Sequence, residues 1–287
     1  MANKQLIQED LDLVNTLKSL TQTYQEISVM RMQKTREKVL KTRSFLSSLS
    51  EIFYDVKTTY KNQVAKYIKN KDIKTSDRKA VLLLSANTKL YGDITNKVFN
   101  LFLNSIKGKN VEIFIVGALG KELFEQQQLH KKYSYYPVPD SNIKVEDLND
   151  LVKTINGFDA VDIFYGQFQS ILNQEAVTSN ITGDTPFLVQ PDVISPLHSN
   201  PDTKFLFEPD LEKILHSFEL QMTTSLVKQT LQESELARHG SRITAMESAI
   251  QNIEKTARGL QSSQRKLDAT IENEDQIGRI AGVTLWQ

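Results

Sequence analysis

The sequence predicts an α/β protein with a long α-helical coiled coil: an antiparallel coiled coil of the N- and C-terminal helices plus a small Rossmann-like α/β domain. Three observations predict it. An apolar seam at alternating steps of three and four runs through Ile243, Met246, Ile250, Ile253, Ala257, Leu260, Gln264, Leu267 and Ile271, with Gln264 its one polar member. That alternation marks a helix that supercoils against another helix. A second seam near the start, Leu13, Leu17, Leu20, Tyr24 and Ile27, steps by four and three. Between the two, short apolar runs alternate with segments of helical spacing, the pattern of a parallel or mixed sheet covered by helices.

Each element follows in order. Residues from about Gln5 to Lys69 read as one helix, since no proline precedes Pro137 and no glycine precedes Gly92 to interrupt it. Leu46, Leu49, Ile52, Phe53, Val56 and Tyr60 extend an apolar face. The run KNKDIKTSDRK (Lys69–Lys79) is a polar linker. KAVLLLS (Lys79–Ser85) is a fully apolar strand, and Asp93–Ile106 is a helix with Asp93 as its N-cap. VEIFIV (Val111–Val116) is a second strand, followed by Gly117 and a helical KELFEQQQ. KKYSYYPVP (Lys131–Pro139) reads as a loop packing its tyrosines under a sheet edge. Glu146–Ile155 is helical and AVDIFY (Ala160–Tyr165) is a strand. Most prolines fall between Pro137 and Pro209, and beyond Pro209 the chain is helical almost to its end.

The expected segments are therefore a coiled-coil helix over 1–70, an α/β domain over 71–207 and a long coiled-coil helix over 208–287. The first helix is net basic and the last net acidic. On facing helices, opposite signs set partner and orientation more than stability.

Composition excludes several function classes. A net charge of +0 over 287 residues argues against bulk capture by nucleic acid or by a membrane surface. With 0 cysteines there is no disulfide framework, thiolate metal site or cysteine nucleophile. No apolar run reaches the roughly 20 residues of a membrane span, and the acidic, polar N-terminus is unlike a signal peptide. The expected compartment is cytoplasmic.

A search for chemistry finds no site. Neither turn after the apolar strands, ANTKLYGD or GALGKE, carries the glycine spacing that lets backbone approach a dinucleotide, and there is no Walker-type G-K-[ST]. His130, His198, His216 and His239 are scattered, without ligand spacing, and read as surface histidines. No G-x-S-x-G elbow exists. No catalytic residue, metal site or cofactor is expected. Trp286 is a docking anchor or a frayed end. On periodicity alone the chain reads as a coiled-coil scaffold or adaptor.

Several stretches resemble the γ subunit of F-type rotary ATPases. FLFEPDLEKIL (Phe205–Leu215) resembles the segment opening that subunit's C-terminal helix. AVDIFYGQFQSILNQEAV (Ala160–Val177) resembles its strand and Y-x-x-F-x-S-x-x-x-Q segment through Tyr165, Phe168, Ser170 and Gln174. His239, Ser241, Arg242, Ala245 and Met246 match H-x-A-R-x-x-A-M, continued by Ser248, Ala249 and Asn252. Asn15, Thr16, Lys18 and Thr21 resemble the N-T-x-K…T motif of the first helix, and Arg31–Lys34 the basic patch after it. VEIFIVG (Val111–Gly117) is similar to a central strand.

The resemblance implies a non-catalytic rotor. Its shaft would stand inside a hexameric ring of catalytic and non-catalytic nucleotide-binding subunits, with an ε-like subunit and a membrane rotor ring at the foot if the complex is proton-coupled. The complex would be peripheral on the cytoplasmic face of the cell membrane. The resemblance also implies ring contacts at Arg238, Arg242, Asp268, Glu274, Ile280 and Trp286. Arg238 stands where the family usually has Glu. Leu267 and Asp268 occupy the positions of an Arg-Gln pair. The family's C-terminal signature is reduced to Ile271, Glu274 and Gly282. A γ-like rotor of a specialised F-type motor, as in gliding motility, and an unrelated coiled-coil scaffold are the alternative readings.

Overall fold

A computed structural model describes residues 2–60, 78–129, 131–181 and 210–284. Helix α1 (Ala2–Thr59) opens the chain. The α/β elements are β1 (Lys79–Leu84), α2 (Ile94–Ile106), β2 (Glu112–Val116), α3 (Ala118–Gln126), β3 (Tyr133–Tyr136), a 3-10 turn (Glu146–Leu148), α4 (Asn149–Ile155), β4 (Ala160–Phe168) and β5 (Gln174–Asn180). Helix α5 (Leu211–Thr284) closes it. The chain divides into two compact units, one of 1–29 with 242–287 and one of 30–241. The three segments expected from sequence follow chain continuity, whereas the two units follow packing.

In the larger unit the sheet has the order β3-β2-β1-β4-β5. β1 lies parallel to β2 and to β4, and β3 parallel to β2. Only β5 is antiparallel, on β4. The apolar run of β1 serves both faces, because side chains alternate along a strand. Ala80, Leu82 and Leu84 pack with Leu151, Val152 and Ile155 of α4 and with Val227 and Leu231 of α5. Val81 and Leu83 pack with Val98, Phe99, Phe102 and Ile106 of α2. Helix α5 thus helps to close one face of the sheet. A third cluster joins Leu49, Phe53 and Val56 of α1 to Leu215 and Met222 of α5, with the Phe53 and Phe218 rings 6.0 Å apart. Each buried side chain of this kind contributes about 1.5–3 kcal/mol.

Two strands lie outside the sequence expectation. Tyr133–Tyr136 is an edge strand on β2 instead of a loop. Gln174–Asn180 is a polar edge strand. Asp93 occupies the N-cap position of α2 but makes no side-chain capping bond; its carboxylate pairs with Lys97 at 2.7 Å. Ile52 is 48% exposed, unlike the neighbours with which its spacing grouped it.

The smaller unit is an antiparallel helix pair made within one chain. Lys4 Nζ meets Asp268 Oδ1 at 2.7 Å, and Gln264 Nε2 donates to Gln8 Oε1 at 3.1 Å. Lys18 Nζ meets Glu254 Oε1 at 2.8 Å, and Gln25 Nε2 donates to Glu247 Oε2 at 2.9 Å. A step forward on α1 is matched in all four pairs by an equal step back on α5, which fixes one register. The basic groups come from α1 and the acidic ones from α5, as their opposite net charges anticipate.

Candidate functional site

The helix pair uses two seams of unequal character. On α5, Ile243 and Ile250 are 8% exposed, and Met246, Ile253, Ala257, Leu260, Gln264, Leu267 and Ile271 are half-buried. On α1 the inward stripe is Ile7, Leu11, Val14, Lys18, Thr21, Gln25 and Ser28, all buried or half-buried. Leu13, Leu17, Leu20 and Tyr24 are 59%, 44%, 53% and 39% exposed. Ile27 is half-buried beside them.

The expected seam on α1 is therefore corrected by a shift of face. Both stripes step by four and three, so spacing alone cannot choose between them. The inward stripe wins through pairing: Lys18 and Gln25 reach carboxylates on α5, and Ser28 satisfies itself by donating to Tyr24 O at 2.8 Å. The leucines remain a continuous outward face.

The Lys18 hydrogen bond, and then its charge, hold the Glu254 carboxyl below its ordinary value. A carboxylate depressed in the folded state stabilises above its unfolded pKa and loses that contribution as pH falls through the folded one. Amide protection across 4–28 and 243–271, taken as exchange relative to the intrinsic rate at each pH, should therefore weaken as pH falls through the carboxylate range. Glu254→Gln should exchange faster at neutral pH and lose that part of the acid response. Identical exchange in the variant and the parent at both pH values would contradict this.

The second feature is the junction of α5 with the α/β elements. From Thr230 to Ser241 every residue of α5 is buried, polar ones included. In open α/β sheets a ligand binds beyond the carboxyl ends of the strands, where the strand order reverses. Here that place, beside β1 and β4, is filled by α5 itself. A Cβ on Gly166 would lie 3.3 Å from Ala237 Cβ, and one on Gly240 would lie 3.1 Å from the Phe168 ring. Gly92, at φ +64°, is so close that a Cβ would stand 2.4 Å from Ser241 Oγ and 2.8 Å from Ser241 O. These glycines are places where helix and sheet backbones approach closely.

Burial overturns three further expectations. Arg238 and Arg242 are 5% and 6% exposed, so neither guanidinium is open to an outside partner. Packing inside the chain claims both, and Arg238 Nη1 donates to Ser85 O at 3.0 Å. His239 is 1% exposed, not a surface histidine. It lies 3.8 Å from Glu235 Oε1 and edge-on to Tyr91, ring centroids 6.1 Å apart. His216 is exposed, while His130, His198 and Trp286 lie outside the described residues. Asp268 is turned to Lys4. Glu274 and Ile280 are exposed.

Glu233 and Arg43, which the sequence did not single out, complete the junction with Tyr165. Glu233, 6% exposed, accepts from Arg43 at 2.7 Å and from Gln229 at 3.0 Å. Burial, with the Glu233 charge added, pushes the Tyr165 hydroxyl up to about 12, the Arg43 charge working against it. Tyr165 is therefore a neutral phenol throughout the physiological range. Among the described residues no group of three or more His, Cys, Asp or Glu could hold a metal ion. No helix of the described residues is long and apolar enough to cross a membrane.

A family model described as ATP synthase matches residues 3–274. The chain belongs to that family. An ATP synthase gamma chain of Mycoplasma mycoides is 25% identical over 264 residues, 88% of each chain. One of Amoebophilus asiaticus is 22% identical over 287 residues, 96% of each. Among solved structures, the rotor of the Euglena gracilis mitochondrial ATP synthase is similar with a TM-score of 0.63 at 14% identity, covering 94% of this chain and 99% of that one. The central stalk/c-ring structure from Tetrahymena thermophila is similar with a TM-score of 0.56 at 18% identity, covering 80% and 99%. The chain is a diverged member of the ATP synthase family; these relatives are named gamma chains, and its fold is similar to that of a central stalk.

Proposed function

We propose that this gamma-type chain is the non-catalytic shaft about which a hexameric ring of catalytic and non-catalytic nucleotide-binding subunits cycles. An ε-like subunit and a membrane rotor ring join its foot where the complex is proton-coupled. The complex sits peripherally on the cytoplasmic face of the cell membrane. The shared register of the four α1–α5 pairs carries this reading. A chain that pairs its own two ends is built as one stiff axle; a scaffold of the ordinary kind would leave each seam for a second copy.

The axle acts by differential contact. Its two helices present unlike faces, so each angle favours a different state of each surrounding site, and mechanical position does what a ligand does in population shift. The outward Leu13, Leu17, Leu20 and Tyr24 of α1, with Glu274 and Ile280 of α5, are the side chains we assign to the ring. The filled carboxyl edge of the sheet supports the absence of nucleotide chemistry in the chain itself.

Co-purification with the ring subunits tests the proposal. One chain per six ring subunits is expected, and a bead on the chain should turn when ATP is supplied. By calorimetry the isolated chain should bind neither ATP nor NAD. A stable homodimer that ignores the ring subunits would overturn the reading.

A further inference from the structure

Arg238 stands at the carboxyl edge of the sheet with its guanidinium spent in several directions. Nη1 donates to Ser85 O at 3.0 Å and to Ser234 Oγ at 3.3 Å. Nη2 donates to Asp140 O at 3.4 Å and lies 3.9 Å from Asp140 Oδ1. The guanidinium carbon is 5.6 Å from the centre of the Tyr91 ring. The Asp140 carboxylate in turn accepts from the backbone N–H of Asn87 at 2.9 and 3.1 Å. The Asn87 amide donates to Val138 O at 2.8 Å and accepts from the Ala118 N–H at 3.0 Å. One bonded chain thus runs from α5 through the loop after β3 to the end of β1 and the start of α3.

Beside the fork, the closest approaches of α5 are made by its small residues, while Val227 and Leu231 pack on the sheet face. Ala237, Gly240 and Ser241 meet Gly166, Phe168 and Gly92. Such contacts resist compression, but each is weak and non-directional. A guanidinium fork is directional and charge-assisted, and it gains strength where water is excluded. Of the bonds described at this edge, the Arg238 fork is the one that opposes both sliding of α5 along the sheet and turning of α5 about its own axis.

We infer that Arg238 and Asp140 are the latch that transmits torque between α5 and the α/β elements. They are positioning residues: neither touches nucleotide, and each acts by holding the sheet to the shaft. The inference rests on the rotor reading and adds to it where load crosses from shaft to foot.

The test uses the assembled complex. The chain has 0 cysteines, so Lys107→Cys at the exposed end of α2 can carry a bead while the ring is fixed. With a small bead, Asp140→Asn and Arg238→Leu should turn at the parent's speed. With a large bead the parent should keep its ATP use per turn. The variants should slip, spending ATP without advance: Arg238→Leu about tenfold more often, the factor for one lost charge-assisted bond, and Asp140→Asn less, since it removes a charge 3.9 Å from Nη2 and leaves the backbone acceptor in place. Arg238→Lys, which keeps the charge but not the fork, should fall between.

A loss of stability alone would change assembly or speed at every load equally, and that result would overturn the inference. So would parent-like slip in all folded variants. If Arg238→Leu fails to assemble, the nearly isosteric Asp140→Asn decides. If the unmodified chain fails to turn, the rotor reading falls instead, which separates the two failures.

Discussion

Ile253→Pro should open the smaller unit while the sheet keeps its protection. Proline removes a helix hydrogen bond and clashes with the preceding turn, at a cost of about 3 kcal/mol or more. The helix pair has little reserve to absorb that. Its α1 side offers Lys18, Thr21, Gln25 and Ser28 where a strong coiled coil would offer leucines. Exposed ion pairs such as Lys4–Asp268 and Lys18–Glu254 are screened by water and add little. Amides over 4–28 and 243–280 should exchange on the order of a hundredfold faster, since local opening tracks local stability. Amides of β1, β2 and β4 should be unchanged. In the assembled complex, ATP hydrolysis should continue without turning the foot. Parent-like exchange or parent-like rotation would show that the seam does not carry the load.

Gly92→Ala should cost more than its size suggests. Gly92 and Gly108 both have positive φ, +64° and +70°, so an alanine at either meets backbone strain of about 1–2 kcal/mol. At Gly108 nothing lies within 4 Å of a new Cβ. At Gly92 the methyl would press on the Ser241 hydroxyl and on its backbone carbonyl, and a carbonyl inside a helix cannot swing away. Overpacking adds about 1–3 kcal/mol, giving about 2–5 kcal/mol in total at Gly92. Thermal unfolding of the two variants side by side isolates the contact. Equal losses would mean that α5 and the β1–α2 turn part easily. A larger loss for Gly92→Ala shows a close and rigid docking.

The central strands were legible because they are buried on both faces and read as unbroken apolar runs. Edge strands β3 and β5 were not. YSYY and QEAVTSN mix the few apolar groups that meet the core, Tyr133, Tyr136, Ala176 and Val177, with hydroxyls and amides, so no unbroken apolar run marked them. The α5 seam and the α1 seam show the limit of periodicity. On α5 the apolar stripe is the inward stripe. On α1 a stripe of leucines and a stripe of mixed polarity share one spacing, and the partner's carboxylates decide between them.

Arg238, Arg242 and His239 were misplaced for a related reason. Charged side chains on a helix ordinarily mark its wet face, but from Thr230 to Ser241 every residue of α5 is buried, and Arg238 spends its guanidinium on Ser85, Ser234 and Asp140. Gly92, Gly166 and Gly240 were the available clue. Isolated glycines in a loop, a strand and a helix each signal a close backbone approach, and together they mark where two elements meet.

The leucines left on the outside of α1 set a condition on supply. A greasy ridge of four large side chains is harmless once covered and adhesive before that. On the proposed ring contact, copies of this chain made faster than their assembly mates should clump through that ridge, so production of the parts would have to be kept in proportion.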